Sequence, residues 1–155
     1  MQIRLDSAEP LVVRVQRVGA IEVPLPRYQT EHAAGMDLAA AIARSITLGS
    51  LERAIVPTGL AVAIPVGWEG QVRPRSGLAA KRGVTLINAP GTIDSDFRGE
   101  IKIALVNLSA DPVTLEPLER IAQIVFARHG VATLDVVPAL DATARGAGGY
   151  GSTGK

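Results

Sequence analysis

The run Gly91-Thr-Ile-Asp-Ser-Asp-Phe-Arg-Gly-Glu-Ile-Lys-Ile-Ala-Leu-Val-Asn-Leu108 begins as an acidic loop bounded by glycines and ends as an alternating apolar segment. Ile101, Ile103 and Leu105 fall on one face and Lys102 on the other, the period-two pattern of a half-buried strand. With Leu86-Ile-Asn-Ala-Pro90 in front of it, the run predicts a β-hairpin: strand, Pro-Gly turn region, strand. Outward from this hairpin, residues 11–18, 54–64, 71–73, 84–88, 120–128 and 133–137 are further short runs rich in Val and Ile, separated by Gly and Pro. Such residues favour strands, and many short strands with turn signals between them predict an all-β sandwich or barrel. Two segments score as helix. Ser76-Gly-Leu-Ala-Ala-Lys-Arg82 has a Ser start and a Gly83 stop, good chemistry for about two turns. Residues 36–44 are rich in alanine, a strong helix former whose preference tertiary context can override.

Composition fits this picture. The chain has 155 residues, 47% hydrophobic and 20% charged, ordinary for one globular domain and too apolar for a disordered chain. No apolar run approaches the ~20 residues that span a bilayer. The first residues lack the hydrophobic core of a signal peptide, so the expectation is a cytoplasmic protein with no membrane partner. There is no cysteine, which excludes disulfides, thiolate metal sites and cysteine nucleophiles. A net charge of +1 and 3% aromatic residues argue against a nucleic-acid partner, which calls for a basic stripe and stacking faces.

Three segments carry chemistry. In the hairpin, Asp94 and Asp96 flank Ser95 beside a turn, where a carboxylate can activate a water; a solvated acidic tip is the plainer reading. Pro74-Arg-Ser-Gly-Leu78 opens the short helix, where unpaired N–H groups and the helix dipole suit a phosphate; the alternative is a simple Ser cap beside a surface Arg. Arg145-Gly-Ala-Gly-Gly-Tyr-Gly-Ser-Thr-Gly154 holds a literal G-x-G-x-x-G, but no βαβ unit follows it, which removes the dinucleotide reading. What remains is backbone that can approach an anion, with hydroxyls, a guanidinium and one ring nearby. His32 and His129 lie far apart without an acidic partner at metal-ligand spacing.

Five segments in order resemble the motifs of the trimeric deoxyuridine triphosphate nucleotidohydrolase (dUTPase) family: Ala34-Gly-Met-Asp-Leu38, Pro74-Arg-Ser-Gly-Leu78, Gly91-Thr-Ile-Asp-Ser-Asp-Phe-Arg-Gly99, Arg120-Ile-Ala-Gln123, and the tail Arg145 to Gly154. The resemblance implies a jelly-roll-like β-barrel or sandwich with one short helix, assembled as a homotrimer with shared active sites. Residues 1–144 would form the β domain, and residues 145–155 a flexible glycine-rich arm that closes the site. It implies hydrolysis of dUTP to dUMP and pyrophosphate with Mg²⁺. Asp94 would activate the water that attacks the α-phosphorus. Arg75, Ser76 and Gln123 would bind phosphates, Asn88 and the backbone around Gly91 and Ile93 would read the uracil, Phe97 would pack on the deoxyribose, and Gly77, Thr92 and Lys102 would be further substrate-binding residues. Arg145, Gly149, Gly151, Ser152 and Thr153 would close on the outer phosphates, with Tyr150 over the uracil. Asp37 would stand near the metal, its contact running through water.

Two positions depart from the family pattern. Phe97 replaces the usual Tyr, and Tyr150 the usual Phe; each keeps a ring for stacking. A deoxycytidine triphosphate deaminase would share the second motif but use a glutamate to drive deamination, whereas this hairpin carries Asp94. A non-catalytic nucleotide-binding regulator would lack Asp94 or the arm, and both are here.

Overall fold

Ile101, Ile103 and Leu105 are essentially inaccessible to solvent, so the alternation in the hairpin marks the inner face of a core strand. A computed structural model of the chain describes residues 10–149. Ten strands and one helix follow in order: β1 (Arg14–Arg17), β2 (Met36–Ala39), β3 (Ile46–Leu48), β4 (Arg53–Ala63), β5 (Trp68–Arg73), α1 (Ser76–Arg82), β6 (Val84–Leu86), β7 (Gly91–Ile93), β8 (Glu100–Asn107), β9 (Val113–Leu115) and β10 (Arg120–Arg128). They form two four-stranded sheets, ordered β1-β4-β8-β6 and β2-β10-β5-β7, and a two-stranded sheet, β3-β9. Every pairing is antiparallel. The inner faces share one apolar core that includes Leu38, Leu60, Ile103, Leu115, Ile121 and Ile124. The expected all-β, jelly-roll-like class with one short helix is the class observed.

Several local readings change. β6 pairs with β8, as a hairpin would, in the register Leu86↔Leu105. β7, however, leaves that pair and joins β5 of the other sheet, Gly91 opposite Val72. The loop therefore bridges the two sheets instead of capping one. In the alanine-rich segment, Met36–Ala39 is a strand, paired with β10 through Gln123↔Asp37. Leu38, Ala39 and Ala40 are all buried there, and burial between neighbours outweighs helix propensity. Residues 133–137 are not a strand: Leu134 and Val136 are 90% and 95% exposed, so among the described residues nothing covers this apolar run. β3 and β9, three residues each, escape a periodicity reading altogether.

Two polar devices pin the core. β4 and β8 lose register between Pro57 and Ala61. There the Thr58 hydroxyl donates to the Ile101 carbonyl at 2.7 Å, and the Gly59 N–H to Glu100 Oε1 at 2.9 Å, so the ladder's interruption leaves these groups paired. At the end of β8, buried Asn107 donates through Nδ2 to the Leu48 and Asp111 carbonyls. Its Oδ1 accepts from the backbone N–H and the hydroxyl of Ser109. One side chain thus ties β8 to β3 and to the turn that leads into β9.

Candidate active site

Residues far apart in sequence meet where β2, β10 and the start of α1 converge. Asp37 lies opposite Gln123, and Gln123 opposite Arg73 at the end of β5. Two residues further, Arg75 reaches back, its Nε donating to Asp37 Oδ1 at 2.9 Å and its Nη1 to the Arg120 carbonyl at 3.0 Å. The Arg120 guanidinium takes the other carboxylate oxygen, Nη1 to Oδ2 at 2.9 Å. The Gln123 amide donates to the Pro74 carbonyl at 2.9 Å and packs closely on Gly35, where a Cβ would come within 2.3 Å of Gln123 Oε1. The first, second and fourth motifs thus build one basic cluster of two guanidiniums around one carboxylate. Arg120 is a residue of this cluster that the motif pattern does not mark as part of the site. Its signal was its place three residues before Gln123, in a strand that sends Ala122 inward to the core.

The helix beside this cluster spans Ser76–Arg82, as its start and stop residues predict, and Gly83 closes it at φ +70°. Arg75, not Ser76, is the N-cap, and no side chain caps the helix. The simple Ser cap is therefore not what this segment builds. Ser76 and Gly77 are exposed in the first turn, where N–H groups lack intrahelical partners. A Cβ at Gly77 would meet no atom within 4 Å, so nothing in the chain's own packing calls for glycine there.

The hairpin builds a second feature. Asn88, Gly91, Thr92, Ile93, Phe97 and Lys102 line one cavity of about 410 Å³, of small-molecule size. Glu100, unforeseen, lines it too, with one carboxylate oxygen on the Gly59 N–H and the other 3.9 Å from Lys102 Nζ. The tip of the Phe97 ring lies against Gly99, where a Cβ would stand 2.6 Å from Cζ, and the Phe97 backbone N–H donates to the Asp94 carbonyl at 3.2 Å. Asp94 is exposed and directly follows Ile93 of the cavity lining.

The two features stand apart. Ile93 lies opposite Gly70, which sets Asp94 level with Glu69, six residues before Arg75 along nearly extended backbone, or ~20 Å at the rise of a strand. At the far end, Arg145 curls on itself, Nε donating to the Gly148 carbonyl at 2.9 Å, and Gly149 ends the described chain. Tyr150, Gly151, Ser152 and Thr153 lie outside the described residues. Among the described residues, no group of three or more His, Cys, Asp or Glu side chains could hold a metal ion. Both Asp37 oxygens accept from guanidinium groups, so among the described residues of one chain no carboxylate cluster is set to ligate Mg²⁺ directly.

The chain is an antiparallel, jelly-roll-like β sandwich with a paired-arginine cluster and a cavity of small-molecule size. The dUTPase family model matches residues 21–154. A deoxyuridine 5'-triphosphate nucleotidohydrolase of Fusobacterium nucleatum subsp. nucleatum is 55% identical over 143 residues, covering 92% of this chain and 98% of its own. One from Methylocella silvestris is 54% identical over 151 residues, covering 95% and 94%. The chain belongs to the dUTPase family and is a dUTP diphosphatase. Solved structures share the fold. A Staphylococcus bacteriophage 80alpha dUTPase with dUPNHPP gives a TM-score of 0.84 at 24% identity, covering 93% of this chain and 99% of that one. A variant dUTPase from phage phi11 of S. aureus, described with a structural Mg(II) ion, gives 0.75 at 20%, covering 84% and 99%. No helix among the described residues is long and apolar enough to cross a membrane.

Proposed function

We propose that this enzyme hydrolyses dUTP to dUMP and pyrophosphate by water attack on the α-phosphorus, with Asp94 as the general base. Asp94 takes a proton from the water as its oxygen bonds to phosphorus. The bond from the α-phosphorus to the bridging oxygen breaks, and pyrophosphate leaves with that bond's electron pair. Such transfer depends on positioning and charge stabilisation more than on covalent chemistry. The observation that carries the reading is the gathering of Asn88, Gly91, Thr92, Ile93, Phe97 and Lys102 around one cavity, with Asp94 next in sequence to the lining residue Ile93. The deoxyuridine would sit there, read by Asn88 and the hairpin backbone, with Phe97 against the sugar. Close packing would reject the methyl of thymine. Arg75, Ser76, Gly77 and Gln123 would take the phosphates, and Arg145, Gly149, Gly151, Ser152 and Thr153 the outer ones as the arm folds over, with Tyr150 on the base. Mg²⁺ would arrive on the triphosphate as part of the substrate.

The working form would be a homotrimer with shared sites. Two features support it: at the rise of a strand, Asp94 and Arg75 lie ~20 Å apart along one chain, and Leu134, Val136 and Leu140 are exposed. In the cell the reaction would keep uracil out of DNA and supply dUMP for thymidylate synthesis, in the cytoplasm. A single assay tests the reading. dUTP, dCTP and dTTP are offered separately while pyrophosphate and ammonia are scored. Pyrophosphate from dUTP alone, without ammonia, is the expected result; ammonia from dCTP would point to a deaminase, and no product from any of them to a binding protein.

A further inference from the structure

We infer that Asp37 is a positioning residue for a pair of arginines and that Arg120 is a phosphate-binding residue of the site; this rests on the proposed dUTP hydrolysis. The Asp37 carboxylate is largely covered, 17% exposed, and each oxygen accepts one guanidinium N–H at 2.9 Å. Charge-assisted bonds of this kind fix direction as well as position. Asp37 spends Nε of Arg75 and Nη1 of Arg120, and the Arg120 carbonyl takes Nη1 of Arg75. Among the described residues, Nη2 of Arg75 and Nε and Nη2 of Arg120 make no hydrogen bond, so each guanidinium keeps donors for an anion. One carboxylate against two guanidiniums leaves the cluster one positive charge. The Arg120 side chain is half-exposed, beside the open first turn of α1.

Each Asp37 oxygen accepts one guanidinium N–H and keeps one further lone pair, so the metal-free and Mg²⁺ arms of the binding test separate a positioning role from a water-mediated metal role. The carboxylate acts on the substrate through the arginines, holding two long, flexible side chains in one geometry before the triphosphate arrives. That lowers the ordering cost of binding.

The test uses the full-length protein and the variants Asp37→Asn and Arg120→Gln. Dissociation constants for dUpNHpp are measured without divalent metal and with Mg²⁺, alongside those for dUMP, and the Mg²⁺ concentration that half-activates hydrolysis is measured separately. Each variant should weaken dUpNHpp binding by about tenfold or more even without metal. dUMP affinity and the half-activating Mg²⁺ concentration should stay within about twofold of wild type. The double variant should be little worse than Asp37→Asn alone, because the two residues act as a unit. A raised Mg²⁺ requirement in Asp37→Asn, with metal-free dUpNHpp affinity unchanged, overturns the positioning role. Unchanged dUpNHpp affinity in Arg120→Gln overturns the binding role. Should Asp37→Asn fail to fold, Arg120→Gln alone decides, its side chain lying half in solvent. Wild-type protein that releases no pyrophosphate from dUTP would instead defeat the proposed hydrolysis, whatever the variants bind.

Discussion

At Asp94 the question is whether a carboxylate next in sequence to a cavity-lining residue removes a proton or merely solvates a turn. Asp94→Asn keeps the shape and removes the base, so turnover should fall by about 10²–10⁴, the usual scale for general base catalysis, while dUpNHpp still binds. Near-normal turnover would assign the acid to the turn. Gly77 offers a second single-residue test. A methyl there touches nothing in the chain and favours the helix by up to about 1 kcal/mol, so Gly77→Ala should melt no lower than wild type. Its affinity for dUpNHpp should nevertheless drop, because a phosphate approaching the first turn of α1 would meet the methyl. Full affinity would show that no ligand comes near residue 77.

Among the elements, Asn107 is the side chain on which several depend. Asn107→Leu keeps the branching but strands the Leu48 carbonyl and the Ser109 N–H, while the Asp111 carbonyl keeps the Ser109 hydroxyl. The expected loss is about 2–4 kcal/mol, read as a lower urea midpoint with an unchanged slope. A shift under about 0.5 kcal/mol would show that water replaces these bonds. Local chemistry explains which elements the sequence disclosed. α1 is legible to the residue because Ser76 and Gly83 punctuate it, and β10 because its nine residues form one long run rich in Ile and Val. β3 and β9 are not, since three residues hold too little of any period and exist by pairing across a long separation, Ile46 with Leu115. Pairing also decided Met36–Ala39 against its own propensity. The cavity residues could be read from one contiguous hairpin. The role of Arg120 could not, because it depends on β2, β10 and the start of α1 meeting in space.

For the whole molecule, sedimentation should give a mass about three times the 16.2 kDa chain; a stable, fully active monomer would exclude shared sites. Removing residues 145–155 takes away five glycines and no aliphatic residue larger than alanine. The trimer and its melting temperature should therefore hardly change. Turnover of dUTP should collapse while dUMP binds nearly as before, since closure excludes water and strengthens charge contacts only at the outer phosphates. Full-rate hydrolysis by the shortened protein would mean the terminus takes no part.

The ~20 Å between Asp94 and Arg75 along one chain has a genetic meaning. If each site draws its base from one subunit and its guanidinium from another, then two dead alleles need not stay dead together. A cell carrying one copy with Asp94→Asn and one with Arg75→Ala would assemble mixed trimers. With random assortment of equal amounts, about a quarter of the sites would receive an intact aspartate and an intact arginine from different parents. Neither purified variant would show that activity alone, and unfolding and reassembling the two together should create it. A mixture that stays silent after reassembly would put base and arginine on the same subunit.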